Sequence, residues 1–296
     1  MVVLVLLALA VVVVVAVAAV LISGPVHPRP SEPAQVLYAY RFDTVTGNRV
    51  ADLQPSGTTT TGGDGDGGGG FDLMLEGTYT AGVRLGAGSG ESKGVLFSGT
   101  GTPGVAGGVG SRAFAQAAPA TVPASRAVSL GAVFRTNLPA PIPGELLDSP
   151  NIAQSGLFES ATQLKVQIDK DGRAGCRVKG LANGAGGASP DVFSPARSPV
   201  VADNAVHTVI CTKGVDEGGK TLITLTVDGV DYSGAVPAVG DLALRAPLQV
   251  ATNSASTAQT SDQFYGVLSA LVWVTGPSGT STRAALTAYL AGIRAH

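Results

Sequence analysis

Apolar and polar positions alternate with a period of two through much of this chain. In "QLKVQI" (163–168), Leu164, Val166 and Ile168 alternate with Gln163, Lys165 and Gln167, so the apolar side chains share one face of a strand. The run continues as "DKDGRAGCRVKG" (169–180). A three-residue loop, Lys170-Asp171-Gly172, places Gly172 at the left-handed position of a bulged hairpin. That register sets Ile168 against Ala174, Val166 against Cys176 and Leu164 against Val178. A two-residue loop would set Val178 against Lys165 and bring charge to the core face, so the pattern selects the longer loop. Cys176 then points inward. In "LITLTVDGVDYSG" (222–234), Asp228-Gly229 suits a two-residue type I′ turn, with Val227 opposite Val230 and Leu225 opposite Tyr232. In "VHTVICTK" (206–213), Val209 and Cys211 share a face. His207 tops that face as a hydrogen-bonded imidazole.

Further strands are predicted at 36–42, 94–99, 127–136, 155–160, 246–252 and 266–275, separated by Gly, Pro, Asp and Asn. The last of these is apolar on both faces, as a central strand is. Many closely spaced antiparallel strands imply an all-β, antiparallel β-sandwich or jelly roll. Helical periodicity enters in "STRAALTAYLAGIRAH" (281–296), where Leu286, Leu290 and Ile293 form the apolar stripe of a short helix that can dock on the sheets. The segment "TTTTGGDGDGGGG" (58–70) reads as a surface loop.

The N-terminus follows another rule. Residues 2–22 contain no polar side chain. As a helix they would extend roughly 32 Å, close to the ~30 Å bilayer core. They read as a membrane anchor or a cleaved signal peptide, and no Lys or Arg precedes them to mark orientation. Residues 23–35 are a Pro-rich linker. Residues 36–296 then form a single β-domain of about 260 residues. Either reading of the N-terminus places that domain outside the cytoplasm, tethered or secreted. Net charge is −2, from 19 basic and 21 acidic residues. No basic run appears, so nucleic acid is excluded as a partner class.

The chain has two cysteines, Cys176 and Cys211. In an oxidising compartment they read as a disulfide. The alternatives are two separate buried thiols, or a metal site with His207 as third ligand. The latter lacks the usual ligand spacing.

The order of motifs resembles the laminin-G-like, or concanavalin A-like lectin/glucanase, jelly roll over residues 36–276. "YRFD" (40–43) followed by "VADLQPSG" (50–57) resembles its opening segment. "GVLFSGTG" (94–101) and "VSLGAVFRT" (128–136) resemble two of its inner strands. "VHTVICTKG" with "LITLTVDGV" resembles its His-containing strand and Val-Asp-Gly hairpin, and "FYGVLSALVWVTG" (264–276) its closing strand. Val206 stands where Trp is usual in that family, and Ala270 where Asp is common. The resemblance implies a jelly roll that binds glycan or a cell-surface protein without catalysis. It also implies a possible structural calcium, with Asp43, Asp52, Asp72 and Asp262 as candidate ligands near strand ends. Turn formation is the competing role for each.

Catalytic chemistry has little support. The six Glu residues are 32, 76, 91, 145, 159 and 217. No two share a strand, so the facing carboxylates of a glycosidase are not indicated. "GESKG" (90–94) matches the serine-hydrolase elbow, but a strand follows Ser92 where a helix is required. "GTGTPG" (99–104) matches a dinucleotide fingerprint that Pro103 denies its helix. The expectation is a non-catalytic extracytoplasmic binding module. The alternatives are an envelope assembly protein with no small ligand and a degenerate glycosidase of the same fold. Few aromatics, with Trp273 assigned to the core, argue against a stacking platform for sugars.

Overall fold

The computed structural model describes residues 34–53, 72–76, 79–86, 92–97, 112–115, 120–136, 150–156, 160–183, 191–193, 198–244, 248–252 and 264–295. These belong to one unit, Pro33–His296. The anchor-or-signal stretch, most of the Pro-rich linker, the 58–70 loop, the 99–104 motif and Glu145 lie outside the described residues.

Described strands run in chain order as β1 (Gln35–Thr46), β2 (Arg49–Asp52), β3 (Leu73–Glu76), β4 (Tyr79–Arg84), β5 (Lys93–Phe97) and β6 (Arg112–Ala115). They continue as β7 (Ala120–Val122), β8 (Ala127–Thr136), β9 (Asn151–Ser155), β10 (Gln163–Ile168), β11 (Ala174–Lys179) and β12 (Asp191–Phe193). The rest are β13 (Val206–Val215), β14 (Thr221–Val227), β15 (Val230–Val236), β16 (Leu242–Leu244), β17 (Leu248–Val250) and β18 (Gly266–Gly276). One helix, α1 (Gly279–Ala295), follows. The strand expected at 155–160 is instead β9, which ends at Ser155. Gly156 adopts φ 81° there, and a Cβ on it would collide with the Thr162 carbonyl. Residues 157–159 lie outside the described residues. β2, β3, β4, β6, β7, β12 and β16 are short and carried no periodic signal.

Hydrogen bonding links most strands in one path, β12-β11-β10-β9-β17-β6-β3-β2-β1-β18-β8-β13-β14-β15, with β5 joined to β18 and β4 to β5. The described pairings are antiparallel. The path curls back on itself, because β10 and β11 near one end touch β13 and β14 near the other. The result is a two-layer sandwich.

Both predicted hairpins hold their register. Leu164 pairs with Val178, Val166 with Cys176 and Ile168 with Ala174, and Gly172 has φ 78°. Val227 pairs with Val230 and Leu225 with Tyr232. Asp228 and Gly229 have φ 48° and 84°, the left-handed pair a type I′ turn demands.

The inner core joins both layers. Phe42, Phe97, Phe264 and Phe134 form an edge-to-face chain with centroid spacings of 6.4, 6.3 and 5.9 Å. Trp273 is buried beside Tyr38 at 6.1 Å, the core position expected for it. β18 is central, bonded to β8 on one side and to β5 and then β1 on the other. Its Leu268, Leu271 and Trp273 enter the inner core. Its Val267, Ala270, Val272 and Val274 form a second apolar cluster with Val133, Ile210, Leu286, Leu290 and Ile293. Helix α1 therefore covers the outer face of this layer through the predicted stripe. Ser278 caps it, its Oγ accepting from the Ser281 N–H at 3.2 Å. This cap explains why the helix begins before Ser281. No helix among the described residues is long and apolar enough to cross a membrane.

The cysteines form the expected disulfide, with a Cα–Cα distance of 5.5 Å. β11 and β13 are not hydrogen-bonded neighbours, so the bridge ties one layer to the other. Face-to-face sheets ordinarily sit ~10 Å apart, and the layers pinch together at this point.

Candidate functional site: a polar sheet face

The second layer places polar side chains opposite its core face. Alternation along β10 turns Leu164, Val166 and Ile168 inward and leaves Gln163, Lys165 and Gln167 outward. β11 turns Ala174, Cys176 and Val178 inward and leaves Gly175, Arg177 and Lys179 outward. The register assembles these into rows. Arg177 stands opposite Lys165, Lys165 opposite Gln154, and Gln154 opposite Gln249. Lys179 stands opposite Gln163, and Gly175 and Asn151 flank Gln167.

An outward polar face on a sandwich is normally solvated. This one is not. Gln154, Gln163, Lys165, Gln167 and Lys179 are each 3% exposed or less, and Asn151 is fully buried. Hydrogen bonds order part of it. Gln154 Nε2 donates to Gln249 Oε1 at 2.8 Å, Gln163 Nε2 to the Gly156 carbonyl at 3.2 Å, and Gln167 Nε2 to Asp169 Oδ1 at 2.7 Å. Asn151 Nδ2 donates to the Thr252 carbonyl. Buried atoms without a partner in the structure include Asn151 Oδ1, Gln163 Oε1 and Arg177 Nε. An unmet buried polar atom costs roughly 1–3 kcal/mol, and these sit among side chains that are otherwise covered. The chemistry on offer is amide donation and acceptance plus cationic donation.

These residues were not legible as a site in the sequence. Their only signal was Gln-x-Lys-x-Gln along β10, and long polar side chains are the default on an outward strand face.

Two of the aspartates singled out from the sequence are engaged by arginines. Asp43 is ion-paired with Arg41 and Asp72 with Arg49. Asp52 ends β2, and Asp262 lies outside the described residues. No group of three or more His, Cys, Asp or Glu side chains suited to a metal gathers among the described residues, so the calcium expectation has no described cage. Ser92 precedes β5 as expected, and its Oγ donates to the Ile293 carbonyl near the end of α1 at 2.7 Å. It thus ties the helix to the sheet.

His207 is hydrogen-bonded, as expected, and sits between two carboxylates. Its Nδ1 is 2.7 Å from Asp228 Oδ2 and its Nε2 2.9 Å from Asp203 Oδ1. Asp228 Oδ1 also accepts the Thr208 N–H at 2.9 Å. Burial alone would push the imidazole pKa down, but the bonds to Asp228 and Asp203 outweigh it and raise the value. The bond from His207 is the main reason Asp203 is held below the usual carboxylate range. A raised histidine pKa adds stability that is complete below the unfolded value near 6.5 and is lost as pH climbs through the folded value. Denaturation midpoints are therefore expected to decline as pH climbs above about 6.5, and His207→Gln to flatten that decline. A wild-type profile that is level or rising in this window would contradict the arrangement.

On the helix-bearing layer, a recess of about 220 Å³ lies between the start of α1 and the hydroxyls of Thr212, Thr224 and Ser233. Arg283 at its wall is paired with Asp231 at 3.0 Å. Buried Lys213 donates to the Ala124 and Arg126 carbonyls at 2.5 and 3.1 Å. Burial lowers its pKa to about 8, against the opposing pull of Asp241. Its bonds make it a strut for the 123–126 turn.

No protein-family model matches this chain, and no curated protein matches it. Solved structures do. The binding domain of Paraclostridial Mosquitocidal Protein 1 aligns with 82% of this chain and 49% of its own, at TM-score 0.50 and 11% identity. This chain thus spans about half the length of that one. Domains LG4-5 of the mouse laminin α1 chain align over 62% of this chain and 41% of theirs, at TM-score 0.39 and 18% identity. An endo-1,3-β-glucanase from Streptomyces sioyaensis aligns over 85% and 99%, at TM-score 0.38 and 14% identity. The chain has the laminin-G/concanavalin A-like β-sandwich fold that its strand order implied.

Proposed function

We propose that this chain is an extracytoplasmic, non-catalytic module whose polar sheet face binds carbohydrate. The supporting observation is the set of unmet buried atoms, Asn151 Oδ1, Gln163 Oε1 and Arg177 Nε. They include both acceptors and a donor, and sugar hydroxyls supply both complements. The described rows carry no aromatic side chain, so binding proceeds by hydrogen bonds rather than stacking. The disulfide supports the oxidising compartment. The large aromatic residues Tyr40, Phe42, Phe97, Phe134, Phe264 and Trp273 are buried in the core, which keeps them from forming a platform.

The test is retention of the full chain on a panel of neutral and acidic polysaccharides, with Gln163→Ala compared. Retention that drops about tenfold in the variant, with unfolding unchanged, supports the reading; one charge-free hydrogen bond is worth about that much. Absence of retention on every polysaccharide would remove it and leave the assembly role in its place.

A further inference from the structure

We infer that the recess at the start of α1 binds one small neutral polyhydroxyl molecule, of the size of a single sugar ring. It lies on the helix-bearing layer and does not depend on the reading of the polar face. Its floor belongs to a cross-strand row of hydroxyls. Ser129 of β8 stands opposite Thr212 of β13, Thr212 opposite Thr224 of β14, and Thr224 opposite Ser233 of β15. Bonds of 2.8 Å close the two ends of the row, between Ser129 and Thr212 and between Thr224 and Ser233. Thr212 and Thr224, the middle pair, both line the recess.

The hydroxyl protons of this row have traceable destinations. Thr282 Oγ1 donates to the Ser278 and Gly279 carbonyls at 3.0 and 3.1 Å. Ser129 Oγ therefore donates to Thr282 Oγ1, at 3.2 Å. Its one proton is then used, so Thr212 donates to Ser129. A hydroxyl has one donor and two acceptor lone pairs, so Thr212 has only acceptors left. In the Thr224–Ser233 pair one proton makes the mutual bond and the other stays available. At the wall, Ser278 takes the Ser281 and Thr282 N–H groups and leaves those of Gly279 and Thr280, which line the recess. Arg283 is neutralised by Asp231 at 3.0 Å, and Asp231 also accepts from Thr226 at 2.6 Å. Donors and acceptors are thus both offered without net charge, which complements hydroxyl groups. Leu222 and Pro277 add apolar contact for ring carbons. Ser233, Ser278 and Thr280 are exposed, so the recess opens to solvent. Its volume of about 220 Å³ corresponds to about seven waters. That is below the ~300–1,000 Å³ of sites for drug-sized ligands, so one ring is accommodated and a run of polymer is not.

The experiment is a ligand-observed NMR titration of the full chain with glucose, galactose, N-acetylglucosamine and myo-inositol, and with sodium sulfate as an anion. At least one of the neutral compounds is expected to bind with a dissociation constant on the order of 1 mM, unaffected by sulfate. Gly214→Val fills the recess and is expected to abolish binding. A Cβ at Gly214 meets nothing closer than 3.7 Å, so the fold accepts the side chain. Thr224→Val is expected to weaken binding about tenfold with the urea midpoint unchanged, because its partner Ser233 is exposed and turns to water. If that midpoint falls, Gly214→Val alone decides. Gln163→Ala is expected to leave this binding intact. Failure of all the neutral compounds to bind overturns the inference, whatever the polysaccharides do at the polar face. Sulfate that displaces a bound sugar overturns it too, since the helix start would then be receiving an anion. Binding that survives Gly214→Val, or that is lost in Gln163→Ala, places the ligand elsewhere and overturns it as well.

Discussion

Replacing both cysteines, as Cys176→Ala with Cys211→Ala, is expected to lower the unfolding free energy by about 4 kcal/mol. The cysteines are 35 residues apart in sequence, and the chain-entropy cost of closing a loop of that size sets the magnitude. Typical domains are stable by about 5–15 kcal/mol, so the loss would remove a large share of the margin. The bridge joins layers that share no hydrogen bonds at this point, and the inner core alone would hold them there. Both cysteines are fully buried, so a reductant must wait for the fold to open. Guanidinium unfolding of the double variant checks the magnitude, and non-reducing peptide mapping checks the link. A loss under about 1 kcal/mol would show that the core holds the layers without help.

Leu290→Ala is expected to cost about 2–5 kcal/mol. Leu290 is fully buried in the cluster between α1 and the outer faces of β18, β8 and β13. The contact is close because Gly131 lies beneath it. A Cβ there would come within 2.7 Å of Leu290 Cδ1 and 3.0 Å of Leu286 Cδ2. Removing the leucine leaves a hollow that the rigid sheet below cannot fill. Exposed Ala291 is the control, and Ala291→Gln is expected to change stability by less than about 0.5 kcal/mol. A Leu290→Ala cost as small as that would mean the helix lies on the sheet without anchoring to it.

The long strands were legible because their pattern admitted one register. Apolar matching chose the 170–172 loop, and Asp228-Gly229 fixed the other hairpin. The same rule placed Cys176 and Cys211 on inward faces, which made their pairing readable. It could not say whether they bridge neighbours or layers, because register describes one sheet at a time. The short strands β2, β3 and β6 escaped notice because four residues show too little alternation. The polar face escaped for a different reason. Lys165 and Arg177 looked like ordinary outward residues, and only three-dimensional burial distinguishes them from solvated ones. His207 was readable as a hydrogen-bonded group, but Asp203 and Asp228 became its partners only through the bend and the turn that flank β13.

The closing strand has a bearing on how the molecule comes into being. β18 lies between β1, at the start of the described chain, and β8, so the middle of its layer is synthesised after the other strands of that layer. Until Gly266–Gly276 leaves the ribosome, β1 and β8 each lack a partner along one edge, and the apolar side chains that will lie under α1 have no cover. Folding of this layer therefore waits for β18, is slow in the manner of non-local β topologies, and is open to mispairing of those waiting edges. A chain truncated before residue 266 would leave the layer without its keystone.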